Sequence, residues 1–319
     1  MKWVKDLVDG DHIVGQLLVC NSAKGTTDKG LNYINVTFQD KTGTIEGKKW
    51  DANDSDLRTM APGCVVMVDG IVNLYKGQPQ LKVVAVGKIE DPSEIDMNNF
   101  ARVSPIPLDE MKAKLDKYLN SFTDKDVEKI TKAVISHFYD KYVTYPGAVK
   151  VHHEFGSGIL HHSLFMADVA DAVAHIYTQV DRDILVAGAL MHDIGKTIEY
   201  ENPIAPVQTT EGKLVGHIAA GYAEVKRVID ELGITSEVPL LLEHMILAHH
   251  GTLEFGSPVM PSTREALLLA EIDMMDSRQM ILDKALATVN EGEFTPRLWM
   301  MDDTSFYKPK NRNNWTTPT

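Results

Sequence analysis

The hexapeptide Met191-His-Asp-Ile-Gly-Lys196 is the most informative stretch of this 319-residue chain. It places an imidazole and a carboxylate on adjacent residues, His192 and Asp193, at a predicted helix end. Both groups are ligands that divalent metal ions accept, and neighbouring residues can direct them at one ion. A single His-Asp pair is common by chance, so its meaning depends on what surrounds it.

Further histidines and an acid flank the pair in a fixed order. Upstream, Gly158-Ile-Leu-His-His-Ser163 opens a predicted helix about 30 residues earlier. Downstream follow His217, the pair His249-His250, and Asp273 on a long predicted helix. This order of His, His-Asp, His, His-His and Asp resembles the HD superfamily of metal-dependent phosphohydrolases.

The resemblance implies a ligand set. The superfamily's first ligand directly precedes Ser or Thr, so His162 is preferred over His161. Members with the additional histidines bind a second metal, and the Asp of the His-Asp pair bridges the two ions. The implied metal ligands are His162, His192, Asp193, His217, His249 and Asp273.

Two residues of the hexapeptide are candidate catalytic residues. Asp193 would bridge two ions, which activate a water and neutralise charge on phosphoryl oxygens. Lys196, one turn beyond His192, would hold a phosphate oxygen as a point charge. Imidazole and carboxylate without thiolate suit manganese, iron, zinc or magnesium, and ligand type does not choose among them.

Four more residues are candidates for substrate contact or for orienting a ligand. Asp276 lies three residues after Asp273 on one helix face and would orient a ligand. His250 would contact substrate. The pair His153-Glu154 forms either a pocket wall that contacts substrate or a solvated corner.

Residues 12–88 have the pattern of five short strands with one helical stretch between the third and fourth. This order predicts an OB-fold, a five-stranded barrel that commonly holds single-stranded nucleic acid. The predicted strands are 12–20, 32–38, 44–50, 64–74 and 80–86, and the helix is 55–60.

The barrel carries candidate nucleic-acid contacts. Aromatic side chains would stack on bases and lysines would meet phosphates. The alternative for each aromatic is a place in the core of the small barrel. The candidates are Tyr33, Phe38, Trp50, Tyr75, Lys48 and Lys49.

The chain is predicted to have two domains. An all-β OB-fold barrel at 1–90 is followed by a polar linker with three prolines at 91–107. After the linker, the spacing of apolar residues changes to that of helices. An all-α domain at 108–305 holds the metal motif, and the tail at 306–319 has an irregular pattern.

The formal net charge of −13 lies entirely after residue 90, because the first 90 residues carry eleven basic and eleven acidic side chains. A neutral barrel argues against a broad electrostatic grip on duplex. It is compatible with single-strand capture by stacking.

The sequence predicts a cytoplasmic protein with no membrane partner. No apolar run approaches the roughly 18 residues that a membrane span needs. The N-terminus has acidic residues where a signal peptide has its apolar stretch. Cys20 and Cys64 form neither a disulfide framework nor a C-x-x-C pair.

The barrel, the metal motif and His-His-Glu-Phe155 before its first ligand together resemble the YhaM-type 3′-to-5′ exoribonucleases, from about Asp11 to Thr304. This resemblance implies hydrolysis of single-stranded RNA, and of single-stranded DNA in some members, to nucleoside 5′-monophosphates, with Mn²⁺ favoured. One or two ions and a homo-oligomer are expected.

Two other functions stay open. One is an HD phosphohydrolase of nucleotides or dinucleotides with a regulatory OB domain. The other is a single-strand-binding, replication-associated protein with a vestigial HD site. A vestigial site should have lost ligands, and here every element of the motif is present.

Overall fold

The computed structural model describes residues 2–27, 30–75, 77–96, 99–100, 104–147, 156–203 and 206–310. The chain divides into two compact units, Met1–Val103 with Glu201–Val207, and Ser104–Tyr200 with Gln208–Thr319. His153, Glu154 and most of the predicted tail lie outside the described residues. Within these ranges, each helix is too short or too polar to cross a membrane.

The first unit contains a closed five-stranded barrel, which confirms the predicted OB-fold. The strand order is β1-β2-β3-β5-β4, with β3 and β5 parallel and the other pairs antiparallel. The strands are β1 (His12–Thr26), β2 (Asn32–Asp40), β3 (Gly43–Trp50), β4 (Val65–Tyr75) and β5 (Gln78–Lys88), with helix α1 (Asp54–Thr59) after β3.

The barrel core follows from the alternation of apolar residues along the strands. On β2, Ile34, Val36 and Phe38 point inward and are buried. A Cβ at Gly47 on β3 would lie 2.9 Å from the Phe38 ring, so the glycine makes room for it. Phe38 is fully buried, and the prediction that it contacts nucleic acid is wrong, because a ring in the core cannot stack on a bound base.

Part of the predicted linker packs on the barrel within the first unit. The Phe100 side chain is 3% exposed and lies against Leu18. The Gln39 side-chain amide donates a hydrogen bond of 2.9 Å to the Phe100 carbonyl.

The second unit is helical, as the change of period predicts. Helix α5 is buried along its whole length from Asp183, because it is apolar on nearly all sides. Helices α3, α4, α8 and α9 pack against it. The helices are α2 (Leu108–Leu119), α3 (Lys125–Thr144), α4 (Gly158–Ile176), α5 (Arg182–Met191), α6 (Lys196–Glu199), α7 (Thr210–Leu232), α8 (Val238–Ala248) and α9 (Arg264–Ala287). Strands β6 (Tyr200–Glu201) and β7 (Val207–Gln208) lie between α6 and α7 in the chain.

Candidate metal centre

The helical unit brings the implied ligands to one point, each at a defined place in its helix. His162 lies near the start of α4, and Asp273 lies in the middle of α9. His192 and His249 directly follow the last residues of α5 and α8. His217 follows Gly216, whose φ of 76° interrupts α7. The α7 interruption therefore lets a new helical segment begin at a ligand.

The first ligand group consists of four side chains around His162. Its Nε2 atom lies 3.2 Å from His192 Nε2 and 3.3 Å from Asp273 Oδ1. Asp193 Oδ2 lies 3.3 Å from His192 Nε2 and 3.7 Å from His162 Nε2. Two imidazole nitrogens and two carboxylate oxygens thus converge, a donor set that suits a divalent ion.

The second ligand group faces the other oxygen of the same carboxylate. Asp193 Oδ1 lies 3.6 Å from His217 Nε2 and 3.9 Å from His249 Nε2. His250 joins these two histidines, with one ligand nitrogen of each ring within 4.8 Å of the others. Asp193 therefore stands between two groups of donors.

The outer nitrogen of three rings is held by a backbone carbonyl. His192 Nδ1 donates to Ala189 O at 3.0 Å, and His249 Nδ1 donates to Ile246 O at 2.7 Å. His250 Nδ1 donates to the carbonyl of Phe255 at 2.8 Å. Because a carbonyl only accepts, Nδ1 carries a proton, and Nε2 is the nitrogen that faces the centre.

Two other rings have a carboxylate as the outer partner. His162 Nδ1 lies 2.6 Å from Asp276 Oδ2, which matches the predicted orienting role of Asp276 in position. His217 Nδ1 lies 3.1 Å from Glu199 Oε2. Glu199 belongs to none of the motifs in the sequence, although it follows Lys196 by one helical turn. Such partners fix ring orientation and make the imidazole a better ligand.

Several inward atoms fit a bound cation. Asp193 Oδ1, His217 Nε2 and His249 Nε2 are buried and have no hydrogen-bond partner within the described part of the chain. Each such atom costs about 1–3 kcal/mol when it stays unsatisfied. Burial lowers the pKa of His249 well below its usual range, which keeps the imidazole neutral. The donor set therefore fits divalent metal.

The acids of the centre are ionised in spite of burial. Burial alone would raise the pKa of Asp193, but the Lys196 ammonium, 2.7 Å from Oδ2, and His192 hold it well below its usual range. Burial lowers the pKa of His162, and hydrogen bonds to Asp273 and Asp276 outweigh this and raise it to about 9. The metal-free centre is thus a network of buried, mutually stabilising charges.

The structure distinguishes the two histidines of the Gly158–Ser163 stretch. His161 Nδ1 lies 2.8 Å from the Ser104 hydroxyl, whereas the His162 ring enters the centre. Adjacent helical residues point in different directions, so only one of them reaches the ligands.

Close approach of two backbone segments positions the His-Asp pair against His217. A Cβ at Gly195 would overlap the His217 carbonyl oxygen and lie 2.8 Å from the Gly221 nitrogen. A Cβ at Gly221 would lie 2.9 Å from the Gly195 nitrogen. Both positions therefore require glycine, because the backbones leave no space for a methyl group.

Substitution of Gly195 tests the close approach of these two backbone segments. We expect Gly195→Ala to lower the free energy of unfolding by about 1–3 kcal/mol, since overpacking forces backbone shifts, and to reduce bound metal. Thermal unfolding and elemental analysis measure the two effects. Gly87→Ala is the matched control, because its Cβ meets no atom within 4 Å. Wild-type unfolding and metal content in Gly195→Ala would contradict the prediction.

The second prediction concerns the carboxylate behind His162. We expect Asp276→Asn to weaken metal affinity by about 10–100-fold, because an amide supports the imidazole less well than a carboxylate. Titration of the metal-free protein with Mn²⁺ measures the affinity. Glu271→Gln, on the exposed face of the same helix, should bind as the wild type does. Equal affinities for all three proteins would remove Asp276 from the account.

On the barrel, three of the candidate contacts form one cluster. The Lys48 ammonium lies 4.1 Å from the Tyr33 ring centroid and 4.6 Å from that of Trp50. The two rings are 5.5 Å apart on paired strands, and Trp50 is 42% exposed. Tyr75, at the end of β4, is 58% exposed, and Lys49 is partly buried.

Comparison with known proteins identifies both units. Residues 15–88 match the OB-fold nucleic acid binding domain, and residues 159–278 match the HD domain. The match to an HD domain and the donor set together indicate dependence on a divalent metal. The OB-fold match indicates binding of single-stranded nucleic acid.

Whole-length relatives agree with this division. The 3′-5′ exoribonuclease YhaM of Bacillus subtilis (strain 168) is 37% identical over 94% of this chain and 96% of its own length. Proteins of that name are 35% identical in Geobacillus sp. (strain WCH70), over 94% and 93%, and 36% identical in Listeria monocytogenes serotype 4b (strain F2365), over 97% and 98%. The chain therefore belongs to the YhaM family of 3′-5′ exoribonucleases.

Proposed function

We propose that this protein is a metal-dependent 3′-5′ exoribonuclease that removes nucleoside 5′-monophosphates from single-stranded RNA. The observation that carries the proposal is Asp193, whose two carboxylate oxygens face two separate groups of histidines. When bound there, two divalent ions supply an activated water and neutralise charge on the phosphoryl oxygens.

The residues of the chain have distinct parts in this proposal. The metal ligands are His162, His192, Asp193, His217, His249 and Asp273. Asp276 holds the His162 ring in orientation through the Nδ1 atom of that ring. Glu199 does the same for the His217 ring. Lys196 keeps Asp193 ionised and brings a positive charge to the edge of the reacting phosphate. His250 contacts the substrate.

The barrel captures the strand before hydrolysis. Tyr33, Trp50 and Tyr75 stack on bases, and Lys48 and Lys49 meet phosphates. Base stacking is tolerant of sequence, because every base has a π-face, so the enzyme should accept mixed sequences. Single-stranded DNA is a second substrate on the same argument, since stacking needs no 2′-hydroxyl.

The physiological metal, the oligomeric state and the cellular location are expected from the family resemblance. We expect Mn²⁺ as the physiological ion, because the family resemblance implies it and the donor set accepts it. A homo-oligomer and a cytoplasmic location are expected as well. Elemental analysis of purified protein identifies the ion, and size-exclusion chromatography with light scattering gives the stoichiometry.

One incubation separates this proposal from its main alternative. The protein is given a 3′-tailed RNA beside a panel of free nucleotides and dinucleotides, with Mn²⁺, Mg²⁺ or a chelator. The proposal expects shortened RNA and nucleoside 5′-monophosphates, identified by mass, only with metal. Turnover of the nucleotides with intact RNA would favour a nucleotide phosphohydrolase instead.

A further inference from the structure

A pocket of about 200 Å³ opens beside the second ligand group. His217 and His250 line it on the side of the metal centre, and Val215, Phe255 and Pro258 also line it. All of these residues belong to the helical unit. The pocket therefore lies next to the proposed metal centre, and metal binding does not explain what the pocket holds.

The rim of this pocket is apolar and open to solvent. Phe255 is 56% exposed and Val215 is 50% exposed. Single exposed apolar residues are ordinary, but these two line the same pocket, and apolar side chains grouped at a pocket indicate a surface that a ligand covers.

The phenylalanine is tied to the metal centre through its backbone. Its carbonyl accepts the hydrogen bond from His250 Nδ1 at 2.8 Å, and the His250 and His217 ring centroids are 5.2 Å apart. Phe255 ends a short 3-10 turn, after which Gly256 adopts a φ of 95°. The hydrogen bond therefore links the position of the aromatic to that of the second ligand group.

Two glycines border open space in the pocket. A Cβ at Gly216 or at Gly256 would meet no atom within 4 Å, and both glycines line the pocket. Its volume is below the roughly 300–1,000 Å³ of pockets that enclose whole drug-sized ligands. The space is therefore right for one planar ring system and too small for several nucleotides.

We propose that this pocket binds the 3′-terminal base of the RNA, stacked on the Phe255 ring. The inference rests on the proposed exoribonuclease function and names a substrate-binding residue for it. A base on Phe255 places its own sugar and 5′-phosphate toward His217 and His250, where the terminal phosphodiester is cut. Stacking also explains how one pocket accepts each of the four bases in turn.

The test compares two substrates in the first cleavage step under single-turnover conditions. One is an ordinary single-stranded RNA, and the other is the same RNA with an abasic 3′-terminal nucleotide. We expect Phe255→Ala to lower the first-cleavage rate constant at subsaturating enzyme about 5–150-fold on the ordinary RNA, the range for loss of one stacked base. On the abasic-ended RNA, wild type and variant should cleave at similar rates.

Two controls separate stacking from structure. Phe255→Tyr keeps the ring and should retain the wild-type preference for the ordinary end. Leu253→Ala removes an exposed apolar side chain from the same turn and should leave both rates unchanged. Bound metal should be equal in all four proteins, because Phe255 contacts His250 through its backbone.

Any of four results would overturn the inference. An equal loss by Phe255→Ala on both substrates, or a loss of metal, would mean that the residue has a structural role. Wild-type rates of Phe255→Ala on both substrates would mean that no base stacks there. A wild-type protein that shortens neither RNA would instead refute the proposed function, and the inference with it.

Discussion

Hydrolysis of RNA is expected to fall by about 10³-fold or more when Asp193 is replaced by asparagine. The reason is that this carboxylate faces both ligand groups, and the substitution removes its negative charge and exchanges one oxygen for an NH2 group, which cannot bind a metal ion. Bound metal supplies several kcal/mol of transition-state stabilisation, and each 1.4 kcal/mol or so is a factor of ten in rate. The rate is measured on a 5′-labelled RNA with saturating Mn²⁺.

The same variant should keep its affinity for single strands, because the barrel candidates belong to the other unit of the chain. Fluorescence anisotropy with a labelled oligonucleotide measures this affinity, and circular dichroism checks that the variant is folded. Glu271→Gln, an exposed carboxylate lost from α9, serves as the control and should cleave normally. Wild-type cleavage by the folded Asp193→Asn protein would show that the centre is wrongly assigned.

The second large effect is expected on the barrel. Combined Tyr33→Ala and Trp50→Ala substitutions should weaken binding of single-stranded RNA by at least about 25-fold. Each stacked base contributes about 1–3 kcal/mol, and the Lys48 ammonium loses the two rings that it contacts. Anisotropy titration at fixed salt concentration measures the loss.

Ring-preserving substitutions provide the matched control for the barrel. Tyr33→Phe and Trp50→Phe keep an aromatic face and should bind within a few fold of wild type. Cleavage at saturating RNA should change little in the alanine double variant, since its metal centre is intact. If the double variant binds as tightly as wild type, the strand lies elsewhere on the protein.

Much of this architecture could be predicted because the chain encodes it locally. Alternation along Asn32–Phe38 predicts a half-buried strand, and the change to helical spacing of apolar residues after residue 107 predicts the helical domain. The order of the ligands could be predicted because each ligand lies at a helix end or on a helix face that the sequence indicates. His192, directly after α5, is an example. His162 was separated from His161 only through the family motif.

Other features depend on contacts distant in sequence. The burial of Phe38 depends on the space opposite it at Gly47, on another strand. The role of Glu199 appears only when α7 brings His217 beside it. The requirement for glycine at 195 arises from the passing backbone of His217 and Gly221. Phe255 carried no motif, and its position follows from the turn after α8.

The central claim is that hydrolysis of the terminal phosphodiester of RNA depends on the Asp193 centre and on a divalent ion that its ligands would hold. The most direct test follows a 5′-labelled single-stranded RNA over time with chelator-treated protein, before and after Mn²⁺ is restored. We predict no change without metal, and after its return a ladder that shortens from the 3′ end by single nucleotides. Shortening by the metal-free protein, or intact RNA with every divalent ion tried, would contradict the account.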